Sequence, residues 1–516
     1  MFKKILIANR GEIAVRIIET CREMNITSLV IYSEPDRFSL AVGLADEAVC
    51  IGSQDLSDSY LNMEKIIDVA KKYNCEAIHP GYGFLSENSK FAFKCRESGV
   101  TFIGPTPELI LLMGDKIRSR ETIRNMGIPL IESTDISKMP DNNSSSGNTI
   151  ENIINHSKHI PFPVMVKATA GGGGKGMRIV YKKEDLPSMI EAAKREAKSY
   201  FSNDVVYIEK YVENPRHIEF QVLGDNHGNF IHLYERECSL QRRHQKVIEE
   251  TPSPALTPEV REKMGAAAVK IISTLKYTNA GTIEFLVDSD LNFYFLEMNT
   301  RIQVEHPVTE MVLGIDLIRQ QILVAANQPM SYTQKDIKQR GHSIECRIYA
   351  EDPFHEFRPA PGKILNLKEP LGSGIRNDIG INNRDEVTTL FDPMISKLIT
   401  WGENRELARL KMIKALKEYV IQGIDVGIPF LRHTLEHEAF ISGKTFTSFF
   451  NNYKQEILDK VESEQKELHE FIPLIAAAIA AETAASDSCS TAGTTGEVAG
   501  EINKDNTWIN LGSWRN

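Results

Sequence analysis

PFPVMVKATAGGGGKGMRIVY, residues 161–181, is the stretch whose reading decides the fold. An apolar run from Pro163 to Ala168 gives way to four consecutive glycines, Gly171, Gly172, Gly173 and Gly174, then Lys175 and Gly176. Apolar character resumes from Met177 to Tyr181. Short apolar runs on either side of such a break read as strand, loop and strand. The glycines let the backbone approach an anion closely and leave several N–H groups unobstructed, as a phosphate lid requires. Lys167, at the end of the first strand, adds a cation beside the loop. The Walker pattern fails, because Met177 stands where it needs lysine and a strand rather than a helix follows.

On the N-terminal side, KKILIAN, a helix from Glu12 to Met24, SLVIYS, a helix near Asn62 to Lys72 and AIHP alternate in a βαβ rhythm. The first strand-to-helix turn carries only Asn9-Arg10-Gly11 where a dinucleotide fold places G-x-G-x-x-G, which disfavours NAD. Between these parts, residues 141–149 (DNNSSSGNT) are polar and turn-rich, a surface loop or linker.

On the C-terminal side, GTIEFLVD and NFYFLEMN flank Asp288-Ser289-Asp290 and read as a hairpin. A tip at Asp290-Leu291 sets Glu284 opposite Glu297, roughly 5 Å apart, where like charges are destabilising unless a cation lies between them. With Asn299 they form a hard, oxygen-rich site suited to magnesium holding substrate phosphates. In RIQVE, Arg301, Gln303 and Glu305 alternate and would share one face of an extended chain. An arginine fork there matches a small planar oxyanion, and the glutamate could remove its proton. QRRHQK, Gln241 to Lys246, reads as the positive wall of an anion pocket. His79 and His217 have no partner at ligand spacing and read as structural histidines; no zinc site is indicated.

The 516 residues carry 60 basic and 70 acidic side chains, a net charge of −10, with 41% hydrophobic and 25% charged residues. That is a soluble composition large enough for three or four domains of about 150 residues. The acidic balance argues against nucleic acid as a partner. Cys21, Cys50, Cys75, Cys95, Cys238, Cys346 and Cys489 form no CxxC pair, which fits a reducing cytoplasm. Neither a secretion signal nor a membrane span is visible; the longest apolar stretch, Phe471 to Ala481, contains Pro473 and is shorter than the roughly 18 residues a span needs. Beyond Thr447 come a charged helix (Lys454 to Glu470), an Ala/Ile run and a Ser/Thr/Gly/Ala stretch from Thr483 to Gly500. Trp508 and Trp514, near the end of that tail, suggest an interaction segment.

IANRGEIAVRII, HPGYGFLSEN, FIGP with MGDK, KATAGGGGKGMR, EKYVENPRHIE, ERECSLQRRHQKVIEE and EMNTRIQVEHPVTE resemble biotin carboxylase, an ATP-grasp enzyme, almost without gaps from Met1 to about Phe450. The resemblance implies a mixed α/β and α+β architecture: an N-terminal βαβ domain (1–113), an ATP-grasp domain (114–331) with a mobile glycine-rich lid (about 135–212), a C-terminal biotin carboxylase domain (332–446) and an extra helical, low-complexity tail (447–516). It further implies that Lys116 and Lys167 hold ATP phosphates under the Gly171–Gly176 backbone, and that Glu209, Lys210 and Val212 line the adenine pocket. His217, Gln241 and His244 would lie on the nucleoside side. Glu284 and Glu297 match the metal ligands, for magnesium or manganese, with Asn299 completing the shell. Bicarbonate would meet Lys246, Arg301, Gln303 and Val304, Glu305 would be the general base, and Arg347 would steady the biotin enolate.

No biotin-acceptor lysine between two methionines occurs and no carboxyltransferase region follows the core. A biotin carboxyl carrier protein and a carboxyltransferase are therefore expected on separate chains, and the resemblance suggests a cytoplasmic homodimer. The final acceptor, whether acetyl-CoA, propionyl-CoA or pyruvate, stays open. RIQVEH with Arg347 argues against another ATP-grasp ligase, and retention of Glu284, Glu297, Arg301, Glu305 and Arg347 together argues against a non-catalytic scaffold.

Overall fold

The computed structural model describes residues 1–134, 149–168, 177–201 and 204–489. The chain divides into two units, Met1–Leu458 and Asp459–Asn516. The N-terminal rhythm is realised by strands β1 (Lys4–Ile7), β2 (Thr27–Ser33), β3 (Glu47–Gly52), β4 (Ala77–His79) and β5 (Thr101–Phe102). They form a parallel sheet in the order β3-β2-β1-β4-β5. Helix α1 (Gly11–Glu23) buries Ile13, Ala14, Ile17, Ile18 and Cys21. Gly380 allows the start of α1 to sit against the second half of the chain, since a Cβ there would lie 2.5 Å from the Glu12 amide nitrogen. That contact brings Glu12 towards the site.

The strand–glycine–strand reading holds for the flanking strands. β6 (Val164–Ala168), β7 (Met177–Val180) and β8 (Val206–Lys210) make a small antiparallel sheet in the order β7-β6-β8. It has its own core, including Ile153, Val164, Val166, Val180, Ile190 and Ile208. Gly171, Gly172, Gly173, Gly174 and Gly176, the polar insertion around Asn142 to Asn148, and Trp508 and Trp514 lie outside the described residues.

Eight antiparallel strands carry the site. β9 (Arg216–Gly224), β10 (Phe230–Arg242), β11 (Gln245–Thr251), β12 (Asn279–Val287), β13 (Phe293–Asn299) and β14 (His342–Tyr349) combine with Ile375–Ile379 and Met394–Gly402. Their order is β13-β12-β9-β10-β11-β14, then Met394–Gly402 and Ile375–Ile379. One sheet therefore runs straight through the boundary expected at residues 331/332. β9 is buried at all nine positions, so its side chains face protein on both sides.

Two irregularities aim side chains. Leu240 pairs with Ile248 and Gln241 with Lys246, so Val247 is an extra, bulged residue on β11. Simple alternation would put Lys246 on the same side as Ile248, in the core; the bulge turns it to the other face. A second bulge at Leu296 follows from Glu284 pairing with Glu297 while Phe285 pairs with Phe295. The expected register thus holds from Thr282 to Glu284 and slips by one towards the tip.

In the second unit, the described residues continue the helix Phe449–Cys489. The charged helix expected to stop at Glu470 instead runs on through the Ala/Ile segment with Pro473 inside it. No helix among the described residues is long and apolar enough to cross a membrane.

Candidate active site

A single row across four neighbouring strands builds the centre. Arg236 on β10 pairs with Glu219 on β9, Glu219 with Glu284 on β12, and Glu284 with Glu297 on β13. Three carboxylates side by side repel, and the first two are fully or nearly fully buried. Cations compensate. Arg236 Nε donates to Glu219 at 2.6 Å, and Lys246 Nζ donates to Glu219 at 2.5 Å, Glu284 at 3.0 Å and Glu305 at 2.7 Å. Burial alone would lower the Lys246 pKa, but these three carboxylates hold it well above the usual lysine value.

Glu284 is the most heavily engaged carboxylate. Its Oε1 accepts from Lys246, from Asn299 Nδ2 at 2.9 Å and from Gln303 Nε2 at 3.0 Å, while Oε2 lies 2.9 Å from His217 Nε2. Burial pushes it up, yet Lys246 and His217 overcome this and keep it far below the ordinary carboxylate range. Glu297 keeps an exposed side chain and is raised, first by desolvation and then by the Glu284 charge. A pair split in this way calls for a further cation at Glu297, and the donor set suits a hard divalent ion. Asn299 turns its amide nitrogen to Glu284, its oxygen being taken by Arg301 Nη2 at 2.9 Å, so ligation through that oxygen requires Arg301 to yield.

RIQVE is not an extended strand, which corrects the shared-face reading. The chain bends after Asn299 and enters the helix His306–Leu313 directly. Arg301 is held by Glu87 at 3.0 Å and donates to Gln303 Oε1 at 2.8 Å. Glu305 turns inward at the start of that helix and is fully buried. Arg347 Nη2 donates to its Oε2 at 2.9 Å, opposite Lys246 on Oε1. Burial opposes ionisation, but Lys246, Arg347 and Arg236 hold Glu305 well below the usual value, so it is ionised. Lys397 Nζ donates to Val304 O at 3.0 Å and fixes the preceding peptide.

QRRHQK is a two-residue hairpin rather than a continuous positive wall. Arg243 and His244 occupy its corner with φ of +50° and +67°. Arg242 turns to Glu351 and Arg243 to Glu356, leaving Lys246 as the cation that enters the site. Gln241 Nε2 donates to His217 Nδ1 at 2.8 Å, while the exposed His244 makes no hydrogen bond to either among the described residues. Nearer β8, buried Glu209 is ion-paired to Lys167 and lies 3.0 Å from Arg120. Burial pulls the Lys167 pKa down, but Glu209 and Tyr207 more than restore it. Lys210 and Val212 follow at the half-buried end of that strand, and Lys116 is exposed, its charge acting on Glu297.

Glu219, Arg236, Glu249, Glu345, Lys397, Glu87 and Arg120 escaped the sequence reading. The first four leave a signal, charged residues set inside the strand-like runs HIEFQV, YERECS, VIEE and SIECRIYA. In strands buried on both faces such charges must meet each other.

Residues 115–333 match the ATP-binding domain of the carbamoyl-phosphate synthase L chain, which together with the carboxylate-lined sheet defines the class as an ATP-grasp ligase. Residues 1–110 match the biotin carboxylase N-terminal domain and 345–452 the biotin carboxylase C-terminal domain. The chain is 51% identical over 448 residues to a biotin carboxylase of Nostoc, covering 87% of this chain and 98% of that one. It is 49% identical over 474 residues to a pyruvate carboxylase subunit of Methanothermobacter thermautotrophicus, covering 91% and 94%. Among solved structures it resembles the biotin carboxylase domain dimer of Hydrogenobacter thermophilus 2-oxoglutarate carboxylase in complex with MgADP, ADP and bicarbonate. The TM-score is 0.82 at 46% identity, covering 89% of this chain and 99% of that one. The chain belongs to the biotin carboxylase family.

Proposed function

We propose that this chain carboxylates biotin on a separate carrier protein, using ATP and bicarbonate and passing through carboxyphosphate. The observation that carries the reading is Glu305, buried and ionised between Lys246 at 2.7 Å and Arg347 at 2.9 Å. The two short distances support a reading of Glu305 as the base, Lys246 as the anion-binding cation and Arg347 as the oxyanion-stabilising guanidinium.

Lys116, Lys167 and the Gly171–Gly176 backbone hold the phosphates, Glu209, Lys210 and Val212 the adenine, and His217, Gln241 and His244 the nucleoside side. Since the Glu209 carboxylate is committed to Arg120 and Lys167, its part in the adenine pocket falls to its backbone. Glu284 and Glu297, with Asn299, hold magnesium or manganese, which supplies charge neutralisation at the transferring phosphoryl group. Bicarbonate sits against Lys246, Arg301, Gln303 and Val304. Because Lys246, Arg347 and Arg236 depress Glu305, it is a weak base until bicarbonate enters and shares the field of the first two; sharing lifts it towards the proton it must remove. The bicarbonate dianion attacks the γ-phosphoryl, releasing ADP and carboxyphosphate, while Lys116, Lys167 and Lys246 offset the spreading negative charge. Closure of the 135–212 lid keeps water from carboxyphosphate, which splits into CO₂ and phosphate. Phosphate takes the ureido proton of biotin, Arg347 stabilises the oxyanion formed, and the nitrogen attacks CO₂.

The segments 1–113, 114–331 and 332–446 act as one catalytic body, in a cytoplasmic homodimer served by carrier and carboxyltransferase chains. The deciding experiment is phosphate release from Mg-ATP by the purified chain, with and without bicarbonate and with and without high free biotin. Release that needs bicarbonate and rises with biotin is expected. Release indifferent to biotin would reopen the other ATP-grasp ligases.

A further inference from the structure

Glu249 on β11 and Glu345 on β14 stand directly opposite each other in the sheet register, and both are completely buried. Directly opposed side chains are close enough to interact strongly, and like charges there repel. Glu249 Oε1 accepts from Arg347 Nε at 2.6 Å, so the pair lies on the face of the sheet that looks into the site. Arg347, Lys246, Lys397 and Glu305 are the charged groups that face it. The hydrogen bonds of the three cations go to other oxygens than Glu249 Oε2 and those of Glu345. Arg347 uses Nε on Glu249 and Nη2 on Glu305. Lys246 spends its bonds on Glu219, Glu284 and Glu305. Lys397 is directed at Val304 O and Glu12, each at 3.0 Å, with Asp378 at 3.7 Å.

As a result, neither oxygen of Glu345, nor Oε2 of Glu249, has a hydrogen-bond partner among the described residues. Three orphaned carboxyl oxygens on fully buried side chains would be costly if both groups were ionised. One proton on Glu345, donated to Glu249 Oε2, satisfies an oxygen of each and removes the repulsion. The direction of titration agrees: burial holds Glu345 well above the ordinary range and raises Glu249 to about 7 against the pull of Arg347.

We infer that Glu249 and Glu345 hold one proton between them and act as a positioning pair for Arg347. Glu249 fixes the guanidinium through Nε, and the shared proton limits the negative charge facing it. Arg347 thereby keeps a net positive field for the biotin oxyanion while Glu305 stays ionised. Loss of that proton at alkaline pH puts a second full carboxylate behind Arg347 and weakens oxyanion stabilisation. The inference rests on the biotin carboxylase reading for its kinetic consequence, but the shared proton does not.

The test is carried out on the full chain. Infrared spectra of protein labelled with carboxyl-¹³C glutamate are expected to show, at pH 7, a protonated glutamate carboxyl that Glu345→Gln removes. A wild-type band unaffected by Glu345→Gln overturns the inference whether or not the chain turns over biotin. If Glu345→Gln does not fold, Glu249→Gln is used instead; there the Glu345 band is expected to persist but to move in frequency as its acceptor changes from a carboxylate to an amide, and an unmoved band overturns the inference. In kinetics, Glu345→Gln, a permanently neutral mimic, should keep biotin-dependent kcat at pH 7 within about threefold of wild type and move its alkaline limb up by about one pH unit or more. Bicarbonate-dependent phosphate release without biotin should keep the wild-type profile. An unshifted alkaline limb, or an equal shift in both reactions, would show the pair to be structural only.

Discussion

Glu305 is the residue where the chemistry is concentrated. Replacing it by Gln keeps the volume and removes the base, so bicarbonate-dependent phosphate release is expected to fall by about 10²–10⁴-fold, while ATP binding measured by calorimetry persists. Equal loss of binding would instead mark Glu305 as a support for the cation cluster. Lys246 poses the opposite case. Lys246→Gln leaves Glu219, Glu284 and Glu305 without the ammonium they share, and breaking a buried pair of this kind costs about 3–5 kcal/mol, read as a lower denaturant midpoint. Two histidines set a pH dependence of stability. Burial holds His79 and His306 near pKa 3, against 6.5 when unfolded. Between those values the unfolded chain binds more protons, so the stabilisation is complete above 6.5 and is lost as pH falls through that window. Calorimetry should show the melting temperature dropping as pH is lowered below 6.5. His79→Asn, which retains an acceptor for the Gly81 amide that now bonds Nδ1, should flatten part of that slope; an unchanged slope would assign it elsewhere.

The hairpin β10–β11 is the element on which the site depends most. Its corner needs positive φ at both residues, and Arg243 and His244 pay for this in backbone strain where Asn-Gly would sit easily. Arg243→Asn with His244→Gly is expected to stabilise the chain by about 1–2 kcal/mol in denaturant titration, while raising KM for ATP if His244 has its proposed nucleoside contact. Val247 gives the sharper test. Val247→Ala should cost about 2 kcal/mol of stability and little turnover, and deletion of Val247, which leaves Lys246 next to Ile248 and so on the opposite face by plain alternation, should keep Lys246 in the site and preserve turnover. This is also where legibility ends. KKILIAN, SLVIYS, AIHP, GTIEFLVD and NFYFLEMN were readable as strands because apolar runs bounded by turn-formers carry a local signal, and the Glu284–Glu297 pairing followed from turn position. QRRHQK read as a charge run because its turn lacks Asn-Gly and its bulge leaves no mark in the alternation. Glu219, Glu249 and Glu345 depend on which strands become neighbours, and no local pattern states that.

At the scale of the molecule, the segments matched to two different families share one sheet. β11 belongs to the ATP-binding stretch and β14 to the C-terminal one, yet they are adjacent strands. Glu305 lies on one side of that seam and Arg347, 2.9 Å away, on the other. A fragment ending at residue 333 would expose β11 as a bare edge and leave Glu249, Glu250 and Glu305 buried without Arg347, His342 and Arg405. It is therefore expected to be insoluble alone, and soluble recovery with native-like melting would show the two segments to be independent. The C-terminal end follows the same reasoning with a different outcome. Phe449, Phe450, Ile457 and Leu458 are part of the core that also holds Leu431 and Phe440, so a chain cut at Phe450 loses Ile457 and Leu458, each worth roughly 1.5–3 kcal/mol of burial, and should melt earlier. A chain cut after Gln465 keeps them and removes the exposed Leu468, Phe471, Ile472 and Leu474. It should retain wild-type melting and free-biotin turnover, so that any loss of partner chains in co-purification would report on the tail itself, and undiminished co-purification would remove the tail from the docking surface.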